Sequence, residues 1–224
     1  MKETEQGLLS NFYKVSHDLK SPLNSIIGLT NVAISEIDDP KALYYFNKIK
    51  LRVEKLKFFV EDILNATQIA ERATENQSIS FDEMIQDILQ NLQSLPNFKR
   101  VDVIISIQQQ VPFFSDATIL YSILQNVIEN SIKYQDLDKR YSFLKIKIQV
   151  LEDMTKIELE DNGIGISEEM KDKVFEMFFR GTDRSTGNGL GLFIVKKSLE
   201  KLNGSINIQS KEGSGMKTTI TFQN

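Results

Sequence analysis

The chain has 224 residues, 41% hydrophobic and 26% charged, with a net charge of −4 and no cysteine. That apolar content suffices for one or two packed domains. The mild acidity speaks against a dedicated nucleic-acid binder, whose footprint is a basic face, and the lack of thiols excludes disulfides and thiolate zinc sites.

Residues 8–72 carry the spacing of two long helices. On the first, Phe12, Ser16, Leu19, Leu23, Ile26, Thr30, Ala33 and Ile37 recur at alternating steps of four and three; on the second, Phe46, Ile49, Val53, Leu56, Val60, Ile63 and Thr67 do the same. This is the seam of a coiled coil or four-helix bundle. Asp38, Asp39 and Pro40 break it, a polar stop followed by a helix-starting proline. A lone hairpin gives each helix a single partner. Closing the seams predicts a homodimer through residues 8–72, with two hairpins forming a four-helix bundle. Residues 73–78 are polar and aperiodic and read as a linker.

Beyond the linker, helix and strand signals alternate. A helix is predicted from Asp82, its N-cap, to about Leu95, then a strand over 101–108. Residues 116–134 have helical period, with Ile119, Ile123, Val127 and Ser131 inward. Strands follow at 144–150 and 156–160, a helix at 190–202 ending on Asn203-Gly204, and a closing strand pair at 205–209 and 217–222. Residues 79–224 thus make a mixed α/β domain of ordinary size. No apolar run approaches the roughly 20 residues that cross a bilayer, and residues 1–6 do not resemble a signal peptide, so a soluble chain without membrane contact is expected.

Four segments carry chemistry. His17, the only histidine, lies in Ser16-His17-Asp18-Leu19-Lys20-Ser21-Pro22-Leu23, beside the core stripe, where its ring should reach solvent. A neutral imidazole is a nucleophile toward phosphorus near neutral pH, and Asp18 can accept from its other ring nitrogen. The same residues also read as a surface histidine beside a surface aspartate. Asn126, Asn130 and Lys133 share one helical face, which suits Mg²⁺ and phosphate or is simply solvated. Asp161-Asn162-Gly163-Ile164-Gly165 follows a strand, where an aspartate can accept from an adenine amino group, or where a plain glycine turn can form. Gly187-Asn188-Gly189-Leu190-Gly191 opens a helix, an anion site in form, though neither a P-loop nor a dinucleotide fingerprint. Residues 175–181 hold a phenylalanine cluster and Arg180, and residues 181–188 have the composition of a lid.

In this order the segments resemble the two-component sensor histidine kinases along nearly the whole chain. Residues 16–23 are similar to the H box, 126–134 to the N box, 161–165 to the G1 box, 175–180 to the F box and 187–191 to the G2 box; Gly213-Ser214-Gly215 is similar to a third glycine motif. The resemblance implies a dimeric helical hairpin followed by an ATP-binding α/β sandwich of the Bergerat (GHKL) type, an α+β chain overall. It implies ATP and Mg²⁺ as ligands and autophosphorylation of His17, assisted by Asp18. The phosphoryl group would then pass to an aspartate of a response-regulator receiver domain. Asn130 would hold Mg²⁺ with Asn126 in support, Lys133 and Arg180 would meet phosphate oxygens, and Tyr134 would lie near the nucleotide. Asp161 would bind the adenine amino group in a pocket shaped by Gly163 and Gly165, and Gly187, Gly189 and Gly191 would form the lid base. A cytoplasmic kinase core is implied, from a parent that in many relatives is membrane-anchored.

Two departures stand out. Ser21 occupies the place where many relatives carry Thr or Asn to position water for dephosphorylating the partner, which leaves phosphatase activity open, and the lid is short. Two other functions stay in view: a dimeric scaffold with a degenerate ATP domain, opposed by intact Asn130, Asp161 and glycines, and an ATPase doing conformational work, opposed by the His17 hairpin.

Overall fold

A computed structural model describes residues 2–181 and 188–223; the side chains of residues 2–13, 17, 65, 66, 68, 70 and 71 lie outside that description. Two units divide the chain, Met1–Arg72 and Ala73–Asn224.

The first unit is a hairpin of α1 (Lys2–Glu36) and α2 (Pro40–Glu71). Asp39 starts α2: its Oδ1 accepts from Lys41 N at 3.1 Å and its carbonyl accepts from Leu43 N at 2.9 Å. Pro40 fits the first turn, where no N–H is required. The predicted seam divides into two rows. Ser16, Leu23 and Thr30 of α1 and Val60, Ile63 and Thr67 of α2 are buried, and Leu64, outside the predicted seam, joins them, with Leu23, Val60 and Leu64 packed together against Val53. Thr30 and Thr67 satisfy their hydroxyls on their own helices, at Ile26 O (2.6 Å) and Leu64 O (2.8 Å). The other row faces outward: Leu19 and Ile26 are each 41% exposed, Ile49 and Leu56 each 47%. Among the described residues no helix is long and apolar enough to cross a membrane.

In the second unit, the described residues form a five-stranded sheet in the order β2 (Val101–Gln109), β4 (Ser142–Val150), β5 (Met154–Asp161), β7 (Gly215–Gln223) and β6 (Ser205–Lys211). The β2–β4 pair is parallel and the remaining pairs are antiparallel. The period of two puts Leu144, Ile146, Ile148 and Val150 of β4 and Ile157 and Leu159 of β5 on the buried face, and Lys145 and Lys147 on the open one. The buried face belongs to a helical layer of α3 (Phe81–Leu92), α4 (Ala117–Lys133) and α5 (Gly191–Lys201). Along α4, Ile119, Ile123, Val127 and Ser131 are buried, as the spacing predicts.

Two details differ from expectation and a third adds to it. The N-cap of α3 is Ser80 rather than Asp82: Ser80 has extended backbone (φ −94, ψ 101) and its Oγ accepts from Glu83 N at 3.5 Å, while Asp82 lies in the first turn, where its charge suits the helix dipole. Gln77–Ser78, inside the expected linker, forms β1, paired with Phe114–Ser115 as β3. Both β1 residues are exposed, so backbone pairing rather than burial holds them. Finally, Asp116 caps α4 and reaches back, its Oδ1 accepting from Ile119 N (3.0 Å) and its Oδ2 from Glu75 N (2.9 Å).

Asp116 therefore couples the start of the second unit to its central helix. Replacing Asp116 with Ala should cost about 2 kcal/mol, from a lost cap and an orphaned Glu75 N–H. Denaturant unfolding of the two proteins checks this; a change below about 0.5 kcal/mol would remove Asp116 from that role.

Candidate functional site

The alternation that buries Thr155, Ile157 and Leu159 continues to the last residue of β5, so Asp161 points into the core side of the sheet and is 8% exposed. A carboxylate there needs donors to replace water. Its Oδ2 accepts from Ser131 Oγ at 3.0 Å, and its Oδ1 from Gly163 N at 2.9 Å and Met216 N at 3.3 Å. Burial pushes the Asp161 carboxyl above the usual carboxylate range, against the hydrogen bonds from Gly163, Ser131 and Met216 and the nearby Lys139 ammonium.

The turn after Asp161 is clamped from two sides. Ile164 N donates to Tyr134 O at 3.0 Å, at the exit of α4, and Gly163 lies against that same carbonyl. On the other side Gly213 N donates to Ile164 O at 2.7 Å, and Gly165, at φ +63, lies against Lys211 O. A side chain at Gly165 would meet both an unfavourable φ and a backbone oxygen. The Asn162 side chain ties the turn to the start of β4, accepting from Phe143 N (2.9 Å) and donating to Tyr141 O (2.8 Å).

Asn126 and Asn130 are half-buried on α4. Asn126 Nδ2 donates to Ser122 O at 2.8 Å. Its Oδ1 lies 2.9 Å from where a Cβ on Gly191 would sit, and Asn130 Nδ2 is 3.8 Å from that point. The asparagine pair thus abuts the start of α5, whose N-cap Leu190 makes no side-chain cap bond, so its first N–H groups are suited to an anion. Lys133 is exposed and ion-paired with Glu129. Arg180 is exposed beside Gly181. Residues flanking 182–187 are joined: Phe178 N donates to Gly189 O at 3.0 Å, with Phe178 at φ 67 and Gly189 at φ +71 against the Phe179 carbonyl. Gly187 lies outside the described residues.

A magnesium ion takes oxygen ligands in octahedral geometry and is commonly held by one or two side chains plus substrate phosphates. Among the described residues no cluster of carboxylates or histidines could hold a metal alone. The amide groups of Asn126 and Asn130 beside an anion-suited helix start fit that shared mode.

In the hairpin, His17 lies in α1, with its side chain outside the described residues. Asp18 and Ser21 are exposed, and α1 runs on through Pro22. Ser131, Asn162 and Met216 were not singled out from sequence as site residues. For Ser131 a signal existed: a hydroxyl at a buried helical position flanked by aliphatic ones.

An ionised Asp161 accepts a hydrogen bond, whereas a protonated one offers a donor and loses an acceptor site. Because its pKa is raised, adenine-nucleotide affinity should fall on acidification while the pH is still above the usual carboxylate range. Calorimetric titration of wild type against Asp161→Asn checks this; a wild-type curve parallel to the variant's would contradict it. Gly165→Ala should displace the turn and lower the same affinity at least about tenfold.

Two family models match. "His Kinase A (phospho-acceptor) domain" covers residues 12–72, and "Histidine kinase-, DNA gyrase B-, and HSP90-like ATPase" covers residues 115–224. Among curated relatives, the aerobic respiration control sensor protein ArcB of Escherichia coli (strain K12) is 28% identical over 221 residues, covering 93% of this chain and 28% of ArcB. The sensor-like histidine kinase SenX3 of Mycobacterium tuberculosis (strain H37Rv) is 28% identical over 215 residues, covering 93% of this chain and 52% of SenX3. The chain thus spans between about a quarter and about half of these relatives' lengths. Among solved structures, full-length ShkA in complex with AMPPNP has a similar fold (TM-score 0.77, 18% identity, 95% of this chain and 45% of that one), as does the Acinetobacter baumannii histidine kinase AdeS (TM-score 0.64, 21% identity, 92% and 97%). With a phospho-acceptor hairpin and an ATP-binding domain matched in that order, the chain belongs to the two-component histidine kinases and comprises a protein-histidine kinase core.

Proposed function

We propose that this chain transfers the γ-phosphoryl group of ATP to His17 and then to an aspartate of a response-regulator receiver domain. The observation that carries the reading is the buried Asp161 carboxylate, held by Ser131, Gly163 and Met216 at the mouth of a glycine-clamped turn, an acceptor suited to an adenine amino group. The triphosphate then extends toward Asn126, Asn130 and the start of α5, with Tyr134 beside the nucleotide. Lys133, on exchanging Glu129 for phosphate, and Arg180 neutralise charge on the phosphate oxygens. Gly187, Gly189 and Gly191 form the lid base. Bound Mg²⁺, with Asn130 as its protein ligand, supplies further neutralisation of the phosphate charge.

A ring nitrogen of His17 attacks the γ-phosphorus, the bond to the β–γ bridging oxygen breaks, and ADP leaves. Asp18 accepts a hydrogen bond from the other ring nitrogen and steadies the positive charge that develops. Ser21, one turn on, positions water when the partner is dephosphorylated. Donor and acceptor belong to different units, so we assign residues 8–72 to the phosphotransfer hairpin, 73–78 to the connection and 79–224 to the ATP-binding domain. The outward row of Leu19, Ile26, Ile49 and Leu56 supports a homodimer through residues 8–72. We place this core in the cytoplasm, where a receiver partner is expected.

Incubation with γ-labelled ATP and Mg²⁺ should give acid-labile, alkali-stable label on the protein, lost in His17→Ala. Phosphate release without label would instead mean an ATPase; no nucleotide binding would mean a scaffold. Ile26→Asp should shift the chain toward monomer in analytical ultracentrifugation, and an unchanged mass would contradict the dimer surface.

A further inference from the structure

Between α4 and β4 the chain folds a tight turn: Lys139 N donates to Asp136 O at 3.2 Å, and Asp136 Oδ1 accepts from Asp138 N at 3.2 Å. The turn aims the Lys139 side chain back across the domain. Its ammonium donates to Asn162 O at 2.7 Å, Gly213 O at 2.8 Å and Gly163 O at 3.4 Å, with Asp136 Oδ2 at 3.8 Å. An ammonium has three donors, and three main-chain carbonyls take them.

Those carbonyls come from two separate turns. Asn162 and Gly163 belong to the turn after Asp161; Gly213 belongs to the β6–β7 turn, 74 residues from Lys139. Each turn supplies one of the main-chain donors to Asp161 Oδ1, Gly163 N directly and Met216 N just past the β6–β7 turn. Gly213 N donates to Ile164 O directly between the turns, and Lys139 adds a charged brace beside that bond. Arginine is a poor substitute: its planar fork does not converge three donors from one point.

We propose that Lys139 is a positioning residue for nucleotide recognition, pinning the two turns so that the Asp161 carboxylate keeps the orientation that selects adenine. This deepens the ATP-site reading above and rests on it.

The cysteine-free chain allows a direct test. Lys139→Cys introduces a unique thiol, and its thiolate displaces bromide from 2-bromoethylamine, forming a C–S bond and restoring an ammonium at nearly the length of lysine; mass spectrometry verifies full conversion. ATP and GTP affinities of the full chain are then compared by calorimetry. Lys139→Cys should bind ATP about tenfold more weakly, with a smaller ATP-over-GTP preference, and aminoethylation should restore both. Unchanged ATP affinity in the variant would overturn the proposal, as would a loss that leaves the ATP/GTP ratio intact or that full aminoethylation does not reverse. If the wild-type chain fails to bind ATP while remaining folded, the ATP-site reading itself falls; if wild type binds and the variant matches it, only the role of Lys139 falls.

Discussion

A carboxylate placed on the core face at the end of a strand must find donors inside the protein or lose its charge. Asp161 is in that position, and much of the second unit is arranged around it. Strand alternation puts it there. Helix α4 brings Ser131 to one oxygen, and the turn at 162–165 and the start of β7 at Met216 bring main-chain N–H groups to the other. The glycines follow from the same constraint. Two turns and a helix end crowd one carboxylate, and at Gly165 there is room for backbone but not for a side chain.

The hairpin obeys a different constraint. Two helices can cover only part of each other's apolar rows. Leu23, Val60 and Leu64 fill the inner row, leaving Leu19, Ile26, Ile49 and Leu56 in water. A buried carboxylate that needs rigid donors and a helical stem with an unfilled outer row suit their two tasks. On the proposed reading, the first would preorganise a nucleotide pocket and the second would offer an apolar surface to a second hairpin.

The features legible in the sequence were those with a period. The heptad rows of α1 and α2, the inward face of α4 and the alternation of β4 and β5 were all readable from spacing. Spacing could not say which half of a seam packs within the chain, because it does not encode the partner. The start of α3 was misplaced because Ser80 and Asp82 are both good capping residues and only backbone angles separate them. β1 and β3, at two residues each, are too short to show alternation. In the site, Asp161 and the glycines were visible as a motif. Ser131 was legible only as an inward helical position and Lys139 not at all, because their roles come from contacts made 30 and 74 residues away.

On the proposed reading, nucleotide binds where Asp161 and its two turns converge. Hydrogen–deuterium exchange with and without ATP and Mg²⁺ tests it directly, since Gly163 N, Ile164 N, Gly213 N and Met216 N all take part in the hydrogen bonds that hold the pocket. Nucleotide should slow exchange in peptides covering residues 161–166 and 211–216, with a weaker effect at 126–134. Protection confined to other parts of the sheet, with these two turns unchanged, would contradict it.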